Sequence, residues 1–175
     1  GIQRRPWGVE VRDAKGDVSR FDHVVLAGHA DTSLGLLEDA SPREREVLGR
    51  FRFQPNRAVL HGDTSLMPKR KSAWASWNYA ASSGTTRREG VAVTYWMNQL
   101  QNLDPNHPIF VSMNPLQEPD PALVHREFVY DHPVLDAATL RGQRELKDLQ
   151  GAGGVWYAGA WTGFGFHEDG MKSGM

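Results

Sequence analysis

The 175-residue chain carries 20 Lys and Arg against 21 Asp and Glu, and it has no cysteine. Near-neutral charge gives no electrostatic reason to expect nucleic acid, and the basic residues are scattered except around Lys69-Arg70-Lys71 and Arg87-Arg88. The missing cysteines exclude disulfides, thiolate chemistry and cysteine-ligated zinc. The length suits one domain or a large piece of a longer protein, and it can bury a core without covalent staples.

Taken in chain order, Trp7 to Asp13 and Val18 to Phe21 alternate apolar and polar about Ala14-Lys15-Gly16-Asp17, the pattern of a hairpin. His23 to Ala27 is a short apolar strand of the kind buried on both faces. Gly28 ends it, and Asp31-Thr32-Ser33 is placed to cap a short helix through Leu37. Ser41-Pro42-Arg43-Glu44 is a helix start, because Ser41 can accept the third helical amide while Glu44 reaches back. That helix is expected to run to about Gly49.

Strand-like runs follow at Arg57–His61, Ala73–Tyr79, Val91–Met97, Ile109–Asn114 and Arg126–Tyr130, separated by loops of Pro, Asn, Ser, Gly and Asp. Strands without intervening helices imply an antiparallel sheet. Asp136 caps a helix from Ala137 to about Leu149, with Leu140, Leu146 and Leu149 as its apolar stripe. Gly151, Gly153 and Gly154 stop it, and Val155 to Ala158 is the last strand. The expected fold class is α+β, a central and mostly antiparallel sheet with a few flanking helices.

The chain ends on a glycine-aromatic bend, Gly159 to Gly165, and the first turn of a helix. Glycines at a strand-to-helix junction let the backbone approach a ligand closely, and a helix start offers unpaired N–H groups to an anion. Neither a G-x-G-x-x-G nor a G-x-x-x-x-G-K-S/T motif occurs, so the chain has no complete nucleotide site of its own. The histidines show no helical metal spacing, and no metal is expected. Glu168-Asp169 reads more simply as a pair favoured by the helix dipole than as an acid/base pair. Trp74, Trp77 and Trp96 fall on strand-like runs, where they either line a substrate pocket or pack as core. No catalytic residue stands out.

The longest apolar run, Val155 to Phe166, is shorter than the about 20 residues a membrane helix needs. No signal peptide appears, and the chain reads as cytoplasmic. Gly1 is no initiator methionine, and both ends read as cuts through structure, so a piece of a larger protein is expected.

Ala158-Gly159, then His167-Glu168-Asp169-Gly170, then Ser173-Gly174 resemble the C-terminal flavin motif of FAD-dependent amine oxidoreductases. Gly163 to Gly170 is similar to a bacterial branch described as predicted NAD/FAD-binding proteins. Asp63 to Pro68, Ala73 to Tyr79, Thr94 to Gln101 and Tyr130 to Pro133 agree with it. The resemblance implies a flavin-dependent oxidoreductase that moves hydride from a small-molecule substrate, apolar or an amine, to FAD. It implies a partial FAD domain over residues 1–37, a substrate domain over 38–150, and a return to the FAD domain over 151–175. The N-terminal dinucleotide fingerprint would precede Gly1, so FAD binding by this chain alone is expected to be weak. Gly159, Ala160 and Gly28 would approach the cofactor, and the amides around His167, Glu168, Asp169 and Gly170 would face the flavin. The surface left by the absent portion is expected to favour self-association. The alternative reading is a β-rich binding module with an aromatic platform and no redox role.

Overall fold

The computed structural model describes residues 1–81 and 91–175; Arg87-Arg88 lie outside the described residues. The chain is α+β with mostly antiparallel sheets. It divides into two compact units, one of Gly1–Gln54 with His132–Met175 and one of Pro55–Asp131. The chain changes unit at 54/55 and 131/132.

In the first unit, β1 (Ile2–Arg5), β2 (Gly8–Arg12) and β3 (Val18–Phe21) form an antiparallel sheet in that order. The expected hairpin is β2–β3, and β1 adds a third strand whose register pairs Ile2 with Val11. β4 (Val24–Leu26) pairs in parallel with β10 (Val155–Tyr157). Between these strands lie α1 (Ala30–Leu36), α2 (Pro42–Leu48) and α4 (Ala137–Glu145), and the chain closes with α5 (His167–Ser173). Ile2, Val9, Leu26, Val47, Leu48, Phe51 and Val155 are among the residues of one buried apolar cluster.

The α2 start is as expected. The Ser41 hydroxyl accepts the Glu44 amide at 3.2 Å, and the Glu44 carboxylate accepts the Ser41 amide at 2.8 Å. Glu44 is only 2% exposed. It also receives the Arg4 guanidinium and the Tyr157 phenol, the latter at 2.6 Å. Burial pushes the Glu44 carboxyl up, but the hydrogen bonds from Tyr157 and Ser41 and the Arg4 charge hold it below the usual carboxylate range. Burial and the Glu44 carboxylate raise the Tyr157 phenol.

Three local expectations change. α1 starts at Ala30 after a His29 cap with no side-chain bond, so Asp31 sits inside the helix rather than capping it. In α4 the buried positions are Thr139 and Gly142, while Leu140 is exposed. Thr139 donates to the Val134 carbonyl at 2.7 Å, and a Cβ on Gly142 would come within 2.9 Å of the Phe51 ring. The close approach of Phe51 sets that face at Gly142, while Leu146 and Leu149 of the expected stripe are buried in the core. Third, β4 is not covered on both faces, since Val25 is 60% exposed.

The two edges of the parallel pair differ. Ala158 donates to the Leu26 carbonyl, joining β10 to β4. On the far edge of β10, Gln150 takes both main-chain groups of Tyr157 at 2.8 Å, and the Gly151 amide takes the Val155 carbonyl. By strand alternation, Val25 turns its main chain toward the outer edge of β4.

The second unit is built on the sheet β6-β7-β8-β5-β9: β6 (Trp77–Ala81), β7 (Val91–Trp96), β8 (Phe110–Met113), β5 (Phe53–His61) and β9 (Val124–Pro133). Neighbours among β6, β7, β8 and β5 are antiparallel. The expected strand at Ala73–Tyr79 starts later, because Lys71–Ala73 closes a 3-10 turn before Trp77. The expected strand to Met97 stops at Trp96, where α3 (Met97–Gln101) begins. Asn98 ties that junction, donating to the Asp104 and His107 carbonyls and accepting the Ile109 amide.

Candidate functional site

β4 and β10 run parallel, so their C-terminal ends lie side by side. Ligands of open α/β sheets bind beyond such ends. There the chain leaves a cleft of 120 Å³ lined by Ala27, Gly28, His29, Phe53, Pro133, Gly159, Ala160 and Trp161. Small residues make one wall, and a Cβ added to Gly28 would meet nothing within 4 Å. His29 stacks flat on Phe53 with ring centroids 4.1 Å apart.

The bend after β10 is fixed by its own side chains. Gly159 adopts φ 150° and ψ 161°, a conformation nearly confined to glycine. Its amide donates to the Ser173 hydroxyl at 2.8 Å, and Ser173 donates on to the Gly170 carbonyl. Trp161, buried, donates its indole N–H to the Gly28 carbonyl at 2.9 Å, joining the ends of the two parallel strands. Gln143 on α4 donates to the Trp161 and Gly163 carbonyls at 3.0 and 2.7 Å. Asp169 accepts the amides of Phe164 and Phe166 at 3.1 and 3.0 Å, which folds the aromatic loop back on the first turn of α5.

These bonds engage three of the amides expected near a cofactor. The Asp169 and Gly170 amides both donate to the Phe166 carbonyl, and the Asp169 carboxylate is a local cap. The Gly159 amide is taken by Ser173. The His167 and Glu168 amides have no acceptor among the described residues, and both side chains are exposed. Ala160 follows Gly159 on the cleft wall, and a Cβ on Gly170 would sit 3.5 Å from the Ala160 nitrogen. The bend and Gly28 share one cleft. The local signal for Asp169 was legible as an acid three residues after the last loop residue, but a Phe in the cap position obscured it.

The three tryptophans do not form a single pocket. Trp77 pairs across strands with Tyr95, and Asn78 with Thr94, so alternation places Trp77 and Trp96 on opposite faces. Trp74 lies edge-on to Trp96 and Phe110, with centroids 5.3 and 5.7 Å away, and its indole N–H donates to the Pro68 carbonyl. Trp77, 45% exposed, meets Tyr95 at 5.4 Å. Register, invisible in a single run of sequence, separates them.

Among the described residues no group of three or more His, Asp or Glu is placed to hold a metal ion. No helix among them is long and apolar enough to cross a membrane.

No family model and no curated protein matches the chain. Among solved structures it is similar to a CLA-producing fatty acid isomerase from P. acnes, with TM-score 0.62 and 15% identity over 98% of this chain and 44% of that one. It is similar to cyclohexylamine oxidase from Brevibacterium oxydans IH-35A, with TM-score 0.64 and 13% identity over 99% of this chain and 45% of that one. A reduced UDP-galactopyranose mutase matches with TM-score 0.60 and 10% identity over 93% of this chain and 40% of that one. The chain shares its fold with part of each of these proteins and spans less than half the length of each.

Proposed function

We propose that this chain forms one wall of the FAD site, and the substrate-binding part, of a longer flavin-dependent oxidoreductase of the amine oxidase type. The observation that carries the reading is the cleft at the carboxyl ends of β4 and β10, where Gly28, Gly159 and Ala160 meet. Its 120 Å³ is below the about 300–1,000 Å³ of an enclosing ligand site, so these residues suit one wall rather than a whole pocket.

In this reading the Gly28, Gly159 and Ala160 backbones lie against the ribityl-pyrophosphate portion. His167 and Glu168 present their amides to the edge of the ring where negative charge gathers on reduction. Bound FAD would supply hydride acceptance from a C–H or C–N bond of the substrate. His29, held flat by Phe53, excludes water from the cleft floor. Gln143 and Ser173 keep the bend rigid, so the small-residue wall needs no rearrangement on binding. A substrate with apolar character suits the exposed aromatic face of the second unit, where Trp77 and Tyr79 stand on alternate positions of β6.

The test is the absorption spectrum of a longer protein containing this chain. It should be yellow, with absorbance that bleaches on reduction. A folded but colourless protein that ignores added FAD overturns the proposal. Equilibrium dialysis of the chain alone should give no micromolar FAD binding, because one wall is present.

The exposed aromatic face also favours a second reading, a binding module with no redox role. Saturable quenching of Trp77 fluorescence by ligand, with no flavin requirement, would support it.

A further inference from the structure

A buried polar chain in the second unit has a direction, and it ends at a cavity. His61 is fully buried at the end of β5. Its Nδ1 accepts the Asp63 amide at 3.1 Å, an interaction in which the donor is fixed. Nδ1 therefore carries no proton. Burial pushes the imidazolium pKa down, the Asp63 charge opposing it, so the ring is neutral with its proton on Nε2. Nε2 lies 2.8 Å from the Ser112 hydroxyl and must donate to it.

Ser112, also fully buried, has one proton of its own to place. Its other partner is the Thr94 hydroxyl at 2.8 Å. Whichever hydroxyl donates in that bond, one proton is left without an acceptor among the described residues; on Ser112 it would be fully buried, whereas on Thr94 it can face open space, so the favoured arrangement has Ser112 donating to Thr94. Leaving a buried hydroxyl donor unmade is unfavourable. Thr94 is 5% exposed, and what exposure it has opens on a cavity of 190 Å³. Leu66, Ala80, Ala92, Pro115 and Leu116 supply the apolar lining. An engineered apolar cavity of about 150 Å³ admits benzene. This one offers similar room, and its polar lining is the Thr94 hydroxyl with the side chains of Ser65 and Gln117.

We propose that this cavity is a binding site for a small, ring-sized carbonyl compound whose oxygen accepts the Thr94 hydroxyl proton. Leu66 and Leu116 hold the apolar body, and the line from Asp63 through His61 and Ser112 favours Thr94 as donor. The line cannot serve a nucleophilic serine: His61 faces Ser112 with a proton, not a lone pair, so Ser112 has no base. The described lining residues all belong to the second unit, and the site does not depend on the flavin reading.

The probe is acetophenone, with toluene as a comparator of similar ring and no acceptor, titrated into the labelled chain by NMR. Saturable shifts are expected at the Ala92, Thr94 and Leu116 methyls, with acetophenone binding about fivefold tighter than toluene. Thr94→Val should remove that preference, Thr94→Ser should retain it, and Ala80→Leu should abolish binding of both by filling the space. Equal binding of the two probes, shifts confined to other residues, or Thr94→Val binding acetophenone as well as the unsubstituted chain would each overturn the proposal. If Thr94→Val does not fold, loss of acetophenone binding in Ala80→Leu with retention in Thr94→Ser still supports it, and the reverse pattern sinks it.

Discussion

The Tyr157 phenol donates to Glu44 Oε1 at 2.6 Å, linking β10 to the first turn of α2 through two buried side chains. The bond is charge-assisted, and Arg4 reaches the same oxygen. Removing the hydroxyl as Tyr157→Phe leaves the carboxylate short of a donor. Urea unfolding at pH 7 should show a loss of about 1.5–3 kcal/mol.

The same carboxyl sets a pH dependence. Glu44 is held below its unfolded value, so its ionised form favours the fold. This stability is fully present above the unfolded carboxyl value of about 4.3 and is lost as pH falls through the lower folded value. Unfolding measured from pH 7 down to pH 3 should lose stability in the acid range, and Tyr157→Phe should lose less across it. Equal losses in both proteins would deny Glu44 this role.

Asp136 offers a spectroscopic check on the α4 cap. Hydrogen bonds from the Thr139 amide, then from Arg52 and the Ala138 amide, lower its carboxyl to about 2. An NMR titration should find that carboxyl still ionised at pH 3, where an unperturbed aspartate is largely protonated. Arg52→Ala should raise the midpoint while α4 stays helical, because both backbone amide bonds remain.

Gly159→Ala tests the bend. At φ 150° a side chain is strained, and its Cβ would come within 2.5 Å of Trp161 Nε1. A stability loss of about 1–3 kcal/mol is expected from the backbone alone. The bond from Trp161 to Gly28 should break with it, seen as a change in Trp161 fluorescence. A neutral substitution would mean that the bend does not take this shape in solution.

Gln150→Ala tests the asymmetry of the parallel pair. Hydrogen exchange should find the Tyr157 amide protected and the Val25 amide fast, and the substitution should release only Tyr157. The exposed Val25 edge and the neighbouring Trp156 are also the surface through which we propose that the chain self-associates. Light scattering should give a mass that rises with concentration, and Val25→Lys should lower it. A monodisperse monomer at all concentrations would contradict this.

What the sequence determined by itself is local. The Ser41–Glu44 capping box, the Asp136 cap and the β2–β3 hairpin each depend on residues close together in the chain, so their chemistry is readable in the string. Tertiary structure alone decided which strand β10 chose, that Trp161 would close on Gly28 133 residues away, and that Trp77 and Trp96 would face apart. It also brought His61, Ser112 and Thr94 into one hydrogen-bonded line. Those depend on register and on close approach between distant segments, and a one-residue change of register reverses every side chain on a strand while leaving its local pattern untouched.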